Sequence, residues 1–141
     1  MAKKADKVQG GSSVVWLDAP EEHDFLAAAA YLALVAPPDI VAGLVGALRT
    51  APTTHQKAKD ILRASELPLL GQDNAHVASD LRKVVKGTPL SPVLVVRGDL
   101  ATGRAAAIAD GYHRVCASYH TDENTDIPVR LVAPPNPTSA P

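Results

Sequence analysis

The run Pro92-Val93-Leu94-Val95-Val96 constrains the fold of this chain more than any other segment. Its apolar residues do not alternate with polar ones, so both faces of the strand that they form have to be covered. Such a strand lies in the middle of a sheet, with other elements packed on each side. Helical and strand patterns alternate through the second half of the chain, as they do where helices pack on a sheet. The sequence therefore predicts an α/β (α+β) domain.

Length and charge limit what this domain can be. With 141 residues and 46% apolar content, the chain can build one hydrophobic core but hardly a second independent domain. The 14 lysines and arginines are balanced by 15 aspartates and glutamates, so the overall charge of the chain does not attract nucleic acid or an anionic membrane. Binding to DNA is therefore not expected without a partner.

The cysteine content and the N-terminus indicate the compartment. Cys116 is the one cysteine of the chain, which excludes an internal disulfide framework. The first residues carry lysines followed by Gly-Gly-Ser-Ser and lack the apolar stretch of a secretory signal. We expect a cytoplasmic protein with flexible tails at residues 1–13 and 134–141.

Residues 14–52 are predicted to form an N-terminal helical hairpin that belongs to the same domain. The apolar region from Phe25 to Leu48 is divided by Pro37-Pro38-Asp39, whereas a helix that spans a membrane needs about 20 continuous apolar residues. No membrane contact is therefore expected. Gly43 and Gly46 suggest close packing of the second helix against a neighbour. Few polar residues cover the outer face, so the hairpin is a candidate surface for self-association or for a protein partner.

Residues 53–133 are predicted to form the core of the domain. Capping residues, apolar spacing and Gly/Pro punctuation place its helices and strands. In chain order the predicted elements are a helix from Thr53 or Thr54 to Ala64, a strand at 67–70, a helix that Asp73 caps, the central strand at 91–97, a strand at 104–109, a helix from Tyr112 to about His120, and a strand at 127–132.

The turn Asp110-Gly111-Tyr112-His113-Arg114 is the candidate functional site. A glycine between a strand and a helix allows a sharp bend, and the first turn of the helix leaves N–H groups without intrahelical partners. These donors, the helix dipole, the imidazole of His113 and the forked guanidinium of Arg114 together suit a phosphate. Asp110 either caps the helix or helps to hold a Mg²⁺ ion that the phosphates share.

Two further side chains belong to the predicted site. His76 falls in the first turn of the helix that follows Asp73, where it is either a second phosphate contact or an ordinary solvated histidine. Tyr112 either stacks on a base or is an ordinary half-buried tyrosine.

A zinc site is the rival interpretation of the same helix. His113, Cys116 and His120 share one stripe of it, and Asp122 or Glu123 could supply a fourth ligand. Structural zinc sites usually draw ligands from more than one element, and a buried cysteine is common in a core. We therefore predict no metal ligands among these side chains.

The order of elements around the turn resembles the phosphate-binding core of the ParB/sulfiredoxin superfamily. ParB proteins show a glycine, an arginine and an alanine at the spacing of Gly111, Arg114 and Ala117, and sulfiredoxins and related serine kinases show the pattern of Gly111, His113 and Arg114. The resemblance covers roughly Lys57 to Val132. It implies binding of the phosphates of a nucleotide (ATP, ADP or CTP), with Mg²⁺ as a possible companion.

A departure from the family pattern narrows the expected chemistry. Tyr112 stands where sulfiredoxins carry the catalytic cysteine, so repair of sulfinic acids is not expected. Glu66 is a conceivable counterpart of the glutamate base of the serine kinases, but no catalytic residue is assigned. The sequence predicts a nucleotide-binding domain, with NTP hydrolysis or phosphotransfer as possible reactions. The alternative is a non-catalytic interaction or nucleic-acid-associated module that uses the hairpin as its partner surface.

Overall fold

The structure is a computed structural model that describes residues 13–135. Both predicted tails lie almost wholly outside the described residues. Within that range the elements are, in chain order, α1 (Glu22–Leu32), α2 (Pro38–Thr50), β1 (Thr53–Lys57), α3 (Ala58–Ser65), α4 (Ala75–Lys86), β2 (Val93–Val96), β3 (Ala107–Asp110), α5 (Tyr112–Thr121) and β4 (Asp126–Val132).

The four strands form one mixed sheet in the order β1-β4-β2-β3. Strand β2 runs parallel to β4 and antiparallel to β3, and β1 is antiparallel to β4. All four residues of β2 are buried, and the strand has a neighbour on each side. The predicted central strand and the predicted α/β class are therefore confirmed.

Helices cover the sheet on both faces. Val93 and Val95 of β2 contact the cluster built by α3, α4 and α5, whereas Leu94 and Val96 contact the cluster built by α1 and α2. This alternation follows from the period of two along a strand. The helical hairpin thus lies on one face of the sheet, and the other three helices lie on the opposite face.

The segment from Thr53 to Lys57 is a strand, so the predicted start of a helix at Thr53 or Thr54 is wrong. Its side chains alternate between exposed and half-buried, and it pairs with β4 at the edge of the sheet. The helix that follows begins at Ala58. Tertiary pairing with a strand about seventy residues further on decides the structure of this segment, and local capping signals do not.

The predicted strand at Leu67–Leu70 is also wrong, because this segment has no regular structure. Pro68 lacks an N–H group and so cannot donate to a sheet. The carbonyl groups of the segment are used by α5 instead: the Tyr112 hydroxyl donates to the Pro68 oxygen (2.6 Å), and a ring nitrogen of His120 lies 2.7 Å from the Leu70 oxygen.

The cap of α4 is Asn74 and not Asp73 as predicted. Its Oδ1 accepts hydrogen bonds from the N–H groups of His76 (3.0 Å) and Val77 (3.2 Å). Two of the N-terminal amides of α4 are therefore satisfied within the protein, which distinguishes this helix from α5.

The two glycines of α2 face open space. A Cβ atom placed on Gly43 or Gly46 would meet no atom within 4 Å, so the predicted close packing at these positions is wrong. None of the described helices is both long enough and apolar enough to cross a bilayer.

Candidate functional site

The turn between β3 and α5 requires a glycine for two reasons. Gly111 has φ of +112°, which lies in the region that other residues avoid. A Cβ atom at this position would also lie 2.9 Å from Cγ2 of Val93 and 3.0 Å from Nη2 of Arg114. The backbone of the turn thus approaches the central strand and the arginine more closely than any other residue type allows.

The first turn of α5 keeps its N–H groups unpaired by the protein. Gly111 is the N-cap residue and supplies no side chain, and the Val115 N–H is the first that bonds within the helix, to the Gly111 oxygen (3.0 Å). Within residues 13–135 no acceptor is found for the amides of Tyr112, His113 and Arg114. These amides carry the positive end of the helix dipole. Asp110 does not cap them, so that alternative is wrong.

The guanidinium of Arg114 is fastened to the start of the central strand. Its Nε donates to the Ser91 oxygen (2.9 Å), and its Nη2 donates to the Pro92 oxygen (3.1 Å) and to Oδ2 of Asp110 (3.0 Å). Only 16% of the side chain is exposed. Nη1 has no acceptor among the described residues, so its N–H groups are the part of the guanidinium that is left for a ligand.

These groups open into a cleft of about 260 Å³ between α4 and α5. Five of the six predicted site residues line it, together with three that the sequence did not single out. The lining residues are His76, Ser79, Asp80, Lys83, Asp110, Gly111, His113 and Arg114.

Tyr112 is the predicted site residue that does not line the cleft. Its hydroxyl donates to the Pro68 oxygen, and its ring packs against the core cluster of the α3, α4 and α5 face. Its side chain therefore holds the loop before α4 in place, while its backbone amide remains at the start of α5.

One stripe of α4 forms the opposite wall. His76, Asp80 and Lys83 are spaced four and three residues apart, so they face the same side of the helix. The rings of His76 and His113 face each other across the cleft with 4.7 Å between their centroids. The spacing from His76 was the signal in the sequence that could have identified Asp80 and Lys83.

Burial controls the charges inside the cleft. It lowers the pKa of His113, and the neighbouring His76 lowers it further, so this imidazole is neutral near pH 7. Burial also raises the pKa of Asp80, in spite of the attraction of Lys83 and Arg114. Near neutral pH the permanent positive charges of the cleft are therefore those of Lys83 and Arg114.

A second carboxyl group stands behind Asp110, and the sequence did not single it out. Asp24 of α1 is 2% exposed, and its carboxyl group is near enough to Asp110 to influence the pKa of that residue. Burial is the main reason why the pKa of Asp110 is raised, and Asp24 adds to that effect.

The start of α1 is joined to the same corner of the sheet. The Ser91 hydroxyl donates to Oε1 of Glu21 (3.1 Å), while the Ser91 carbonyl accepts from Arg114. Ser91, which lies two residues before β2, thus connects the hairpin to Arg114 of the cleft.

The rival zinc ligands are not assembled. Cys116 is buried in the core, and a ring nitrogen of His120 is engaged by the Leu70 carbonyl. Among residues 13–135, the only set of three side chains that could share an ion is Glu21, His23 and Asp24, and this set includes none of the side chains that the rival zinc interpretation named. The candidate base Glu66 lies at the end of α3 and does not line the cleft.

Comparison with known proteins found no match to a family model, to a curated protein or to a solved structure. The resemblance to the ParB/sulfiredoxin superfamily therefore stays a prediction.

Proposed function

We propose that this protein binds the phosphate groups of a nucleotide in the cleft between α4 and α5. The observation that carries the proposal is the meeting of unpaired helix amides with a positioned guanidinium at one corner of the sheet. Backbone N–H groups at the start of a helix bind anions through directed hydrogen bonds and the helix dipole. The resemblance of the turn Gly111 to Arg114 to ParB/sulfiredoxin proteins supports the same ligand class.

The size of the cleft indicates which part of the ligand it holds. Its volume of about 260 Å³ is below the range of about 300–1,000 Å³ that is typical of sites enclosing a drug-sized molecule. One or two phosphate groups fit this space, and the sugar and base would lie outside it. The cleft by itself therefore does not discriminate among ATP, ADP and CTP.

Hydrolysis or phosphotransfer would use the same groups. Negative charge that develops on a phosphoryl group would be stabilised by the α5 amides and by Arg114. Mg²⁺ would arrive with the phosphates, and Asp80 and Asp110 are the carboxyl groups on the wall of the cleft.

Lys83 provides the first test of the proposal. A thermal-shift screen with ATP, ADP, CTP and inorganic pyrophosphate, with and without Mg²⁺, is expected to raise the melting temperature, because these ligands bind only the folded state. Replacing Lys83 by alanine removes one cation from the cleft wall and is expected to weaken binding about tenfold. Lys86→Ala is the matched control, since Lys86 lies on the same helix and does not line the cleft.

Two results would contradict the proposal. One is a melting temperature that no nucleotide and no pyrophosphate changes. The other is an equal loss of affinity in Lys83→Ala and Lys86→Ala, because the effect would then depend on overall charge and not on the cleft.

Self-association through the helical hairpin is a second candidate function. Large apolar side chains of α1 and of the turn after it are exposed: Leu26 (61%), Leu34 (83%) and Val35 (62%). A second copy of the chain could cover this patch with the same patch of its own, as symmetric dimers do. Sedimentation velocity over a range of concentrations tests this candidate, and a monomer throughout would remove it.

A further inference from the structure

A second cavity lies on the face of the sheet that α3, α4 and α5 cover. Its volume is about 250 Å³, and it shares no lining residue with the cleft between α4 and α5. The sheet forms its floor through Val95 of β2, Ile108 of β3 and Val129 of β4. Residues of α3 form one wall, and the end of β2 with the segment before β3 forms another. This cavity is therefore separate from the proposed phosphate site.

Small side chains and a backbone hydrogen bond keep the walls of the cavity apart. Ala64 of α3 and Ala106, just before β3, both line it. The Ala106 N–H donates to the Ala64 oxygen (3.0 Å), so the segment before β3 is fastened to the end of α3. The separation of the two walls is thus fixed by the backbone, and the space between them is part of the fold.

The inside of the cavity is apolar. Its deepest side chains are buried aliphatic ones, namely Ile61, Val95, Ile108 and Val129. The buried Ser65 hydroxyl donates to the Ile61 oxygen (2.8 Å), so it does not need a partner in the cavity. An engineered apolar cavity of about 150 Å³ stays dry and binds benzene. In proportion, the volume here accommodates about ten carbon atoms of a hydrocarbon.

The rim of the cavity carries a cation that no carboxylate of the protein neutralises. Arg97 lines the cavity, its side chain is exposed, and within residues 13–135 its guanidinium has no acceptor. The Arg97 N–H donates to the Val132 oxygen (2.8 Å), which fixes the point from which the side chain extends. Asp60 is the carboxylate among the lining residues, and it is compensated by Arg63, whose Nη2 lies 3.1 Å from Oδ1. The rim therefore favours an anionic group beside an apolar surface.

We propose that this cavity binds an aliphatic carboxylate of about eight to ten carbons, with the hydrocarbon chain on the sheet and the carboxylate paired with Arg97. A guanidinium matches a carboxylate through two parallel hydrogen bonds. Because an ion pair at an exposed rim contributes little free energy, the buried chain supplies most of the affinity and Arg97 selects for the anion. This activity goes beyond nucleotide binding and uses none of the cleft residues.

The first experiment locates the ligand. Octanoate is titrated into the full chain labelled at its isoleucine and valine methyl groups, and the methyl resonances are followed by NMR. Saturable shifts are expected, with the largest at Ile61, Val95, Ile108 and Val129, which form the inside of the cavity. Shifts centred elsewhere, or none at millimolar octanoate, would overturn the proposal.

The second experiment tests the anionic end of the ligand. Arg97→Met removes the charge and keeps an unbranched apolar side chain at the rim, so octanoate should bind about threefold more weakly. Binding of uncharged 1-octanol should be the same in both proteins. Arg104→Met is the matched control, because Arg104 is exposed in the turn between β2 and β3 and does not line the cavity. Equal effects of the two substitutions on octanoate binding would overturn the pairing with Arg97.

The third experiment fills the cavity. Ala64 is an exposed residue of a helix, so Ala64→Leu should fold, and its larger side chain should occupy the space and weaken octanoate binding more than tenfold. Its melting temperature shows whether the fold is intact. Ala101→Leu adds the same atoms at an exposed position that does not line the cavity, and it should bind octanoate as the wild type does. Unchanged binding in folded Ala64→Leu would contradict the proposed location.

Two further results distinguish this proposal from other occupants and from the proposed function. Methyl shifts at the cavity that depend on protein concentration without ligand would identify a second copy of the chain as the occupant, and would overturn the proposal. Saturating pyrophosphate should leave octanoate binding unchanged. Displacement of octanoate by pyrophosphate would place the carboxylate in the phosphate cleft and overturn the proposal. Failure of pyrophosphate to bind would overturn the proposed function alone, since the two sites share no residue.

Discussion

Arg114→Ala is expected to lower the free energy of unfolding by about 3 kcal/mol and to abolish binding of pyrophosphate. The side chain donates to two backbone carbonyls, of Ser91 and Pro92, and to the carboxyl group of Asp110. Its removal leaves all three acceptors without this partner in a corner that is largely buried. Urea denaturation measures the loss of stability, and calorimetry measures the loss of binding.

Two further variants make this result interpretable. Arg104→Ala is the matched control, because Arg104 is exposed in the turn before β3 and should change the free energy of unfolding by no more than about 0.5 kcal/mol. Arg114→Lys keeps the positive charge but loses the forked guanidinium. This variant should still fold, and it should bind pyrophosphate more weakly than the wild type. Equal stability of Arg114→Ala and Arg104→Ala would show that the guanidinium does not hold this corner together.

Gly111→Ala is expected to cost about 3 kcal/mol of unfolding free energy. Positive φ alone costs a non-glycine residue roughly 1 kcal/mol, and the added methyl group would also press on Val93 and on Arg114 at about 3 Å. The displaced guanidinium would no longer face the cleft, so pyrophosphate binding should fall with stability.

Gly87 offers a matched control for this substitution. It also has positive φ (+73°), but a Cβ atom there would meet nothing within 4 Å. Gly87→Ala should therefore cost only about 1 kcal/mol and leave binding unchanged. Equal costs at the two glycines, measured by urea denaturation, would mean that the close approach at Gly111 has no energetic consequence.

The cleft draws on both faces of the sheet. Its walls come from α4 and α5, whereas the carboxyl group behind Asp110 comes from α1 on the opposite face. Ser91, just before the central strand, bonds to both sides. The hairpin therefore contributes to the electrostatics of the site as well as covering one face of the sheet.

The parts of the fold that could be predicted from sequence are those fixed by local patterns. The apolar run of β2 and the turn into α5 carry their own signals: unbroken hydrophobicity in the first, and a glycine followed by a helical segment in the second. Strand β1 lacks such a signal, since its polar sequence becomes a strand only by pairing with β4.

The same distinction between local patterns and tertiary packing applies to the candidate site. Gly111, His113 and Arg114 lie within four consecutive positions, so one motif was enough to propose them. Lys83 was missed, although it lies seven residues after His76 on the same face of α4 and could have been inferred from that spacing. Asp24 required knowing that α1 packs beside the end of β3, and in the sequence it is only an acidic residue at the start of a helix.

The most direct measurement of phosphate binding is a titration of the ¹⁵N-labelled protein with pyrophosphate, followed by the backbone amide resonances. We expect saturable shifts that are largest for the amides of Tyr112, His113 and Arg114, with smaller shifts along the facing stripe of α4. The amides of α2 serve as an internal reference, because this helix lies on the opposite face of the sheet. Resonances of the first turn of α5 that stay unchanged at saturating pyrophosphate, or shifts centred elsewhere, would contradict a phosphate site in this cleft.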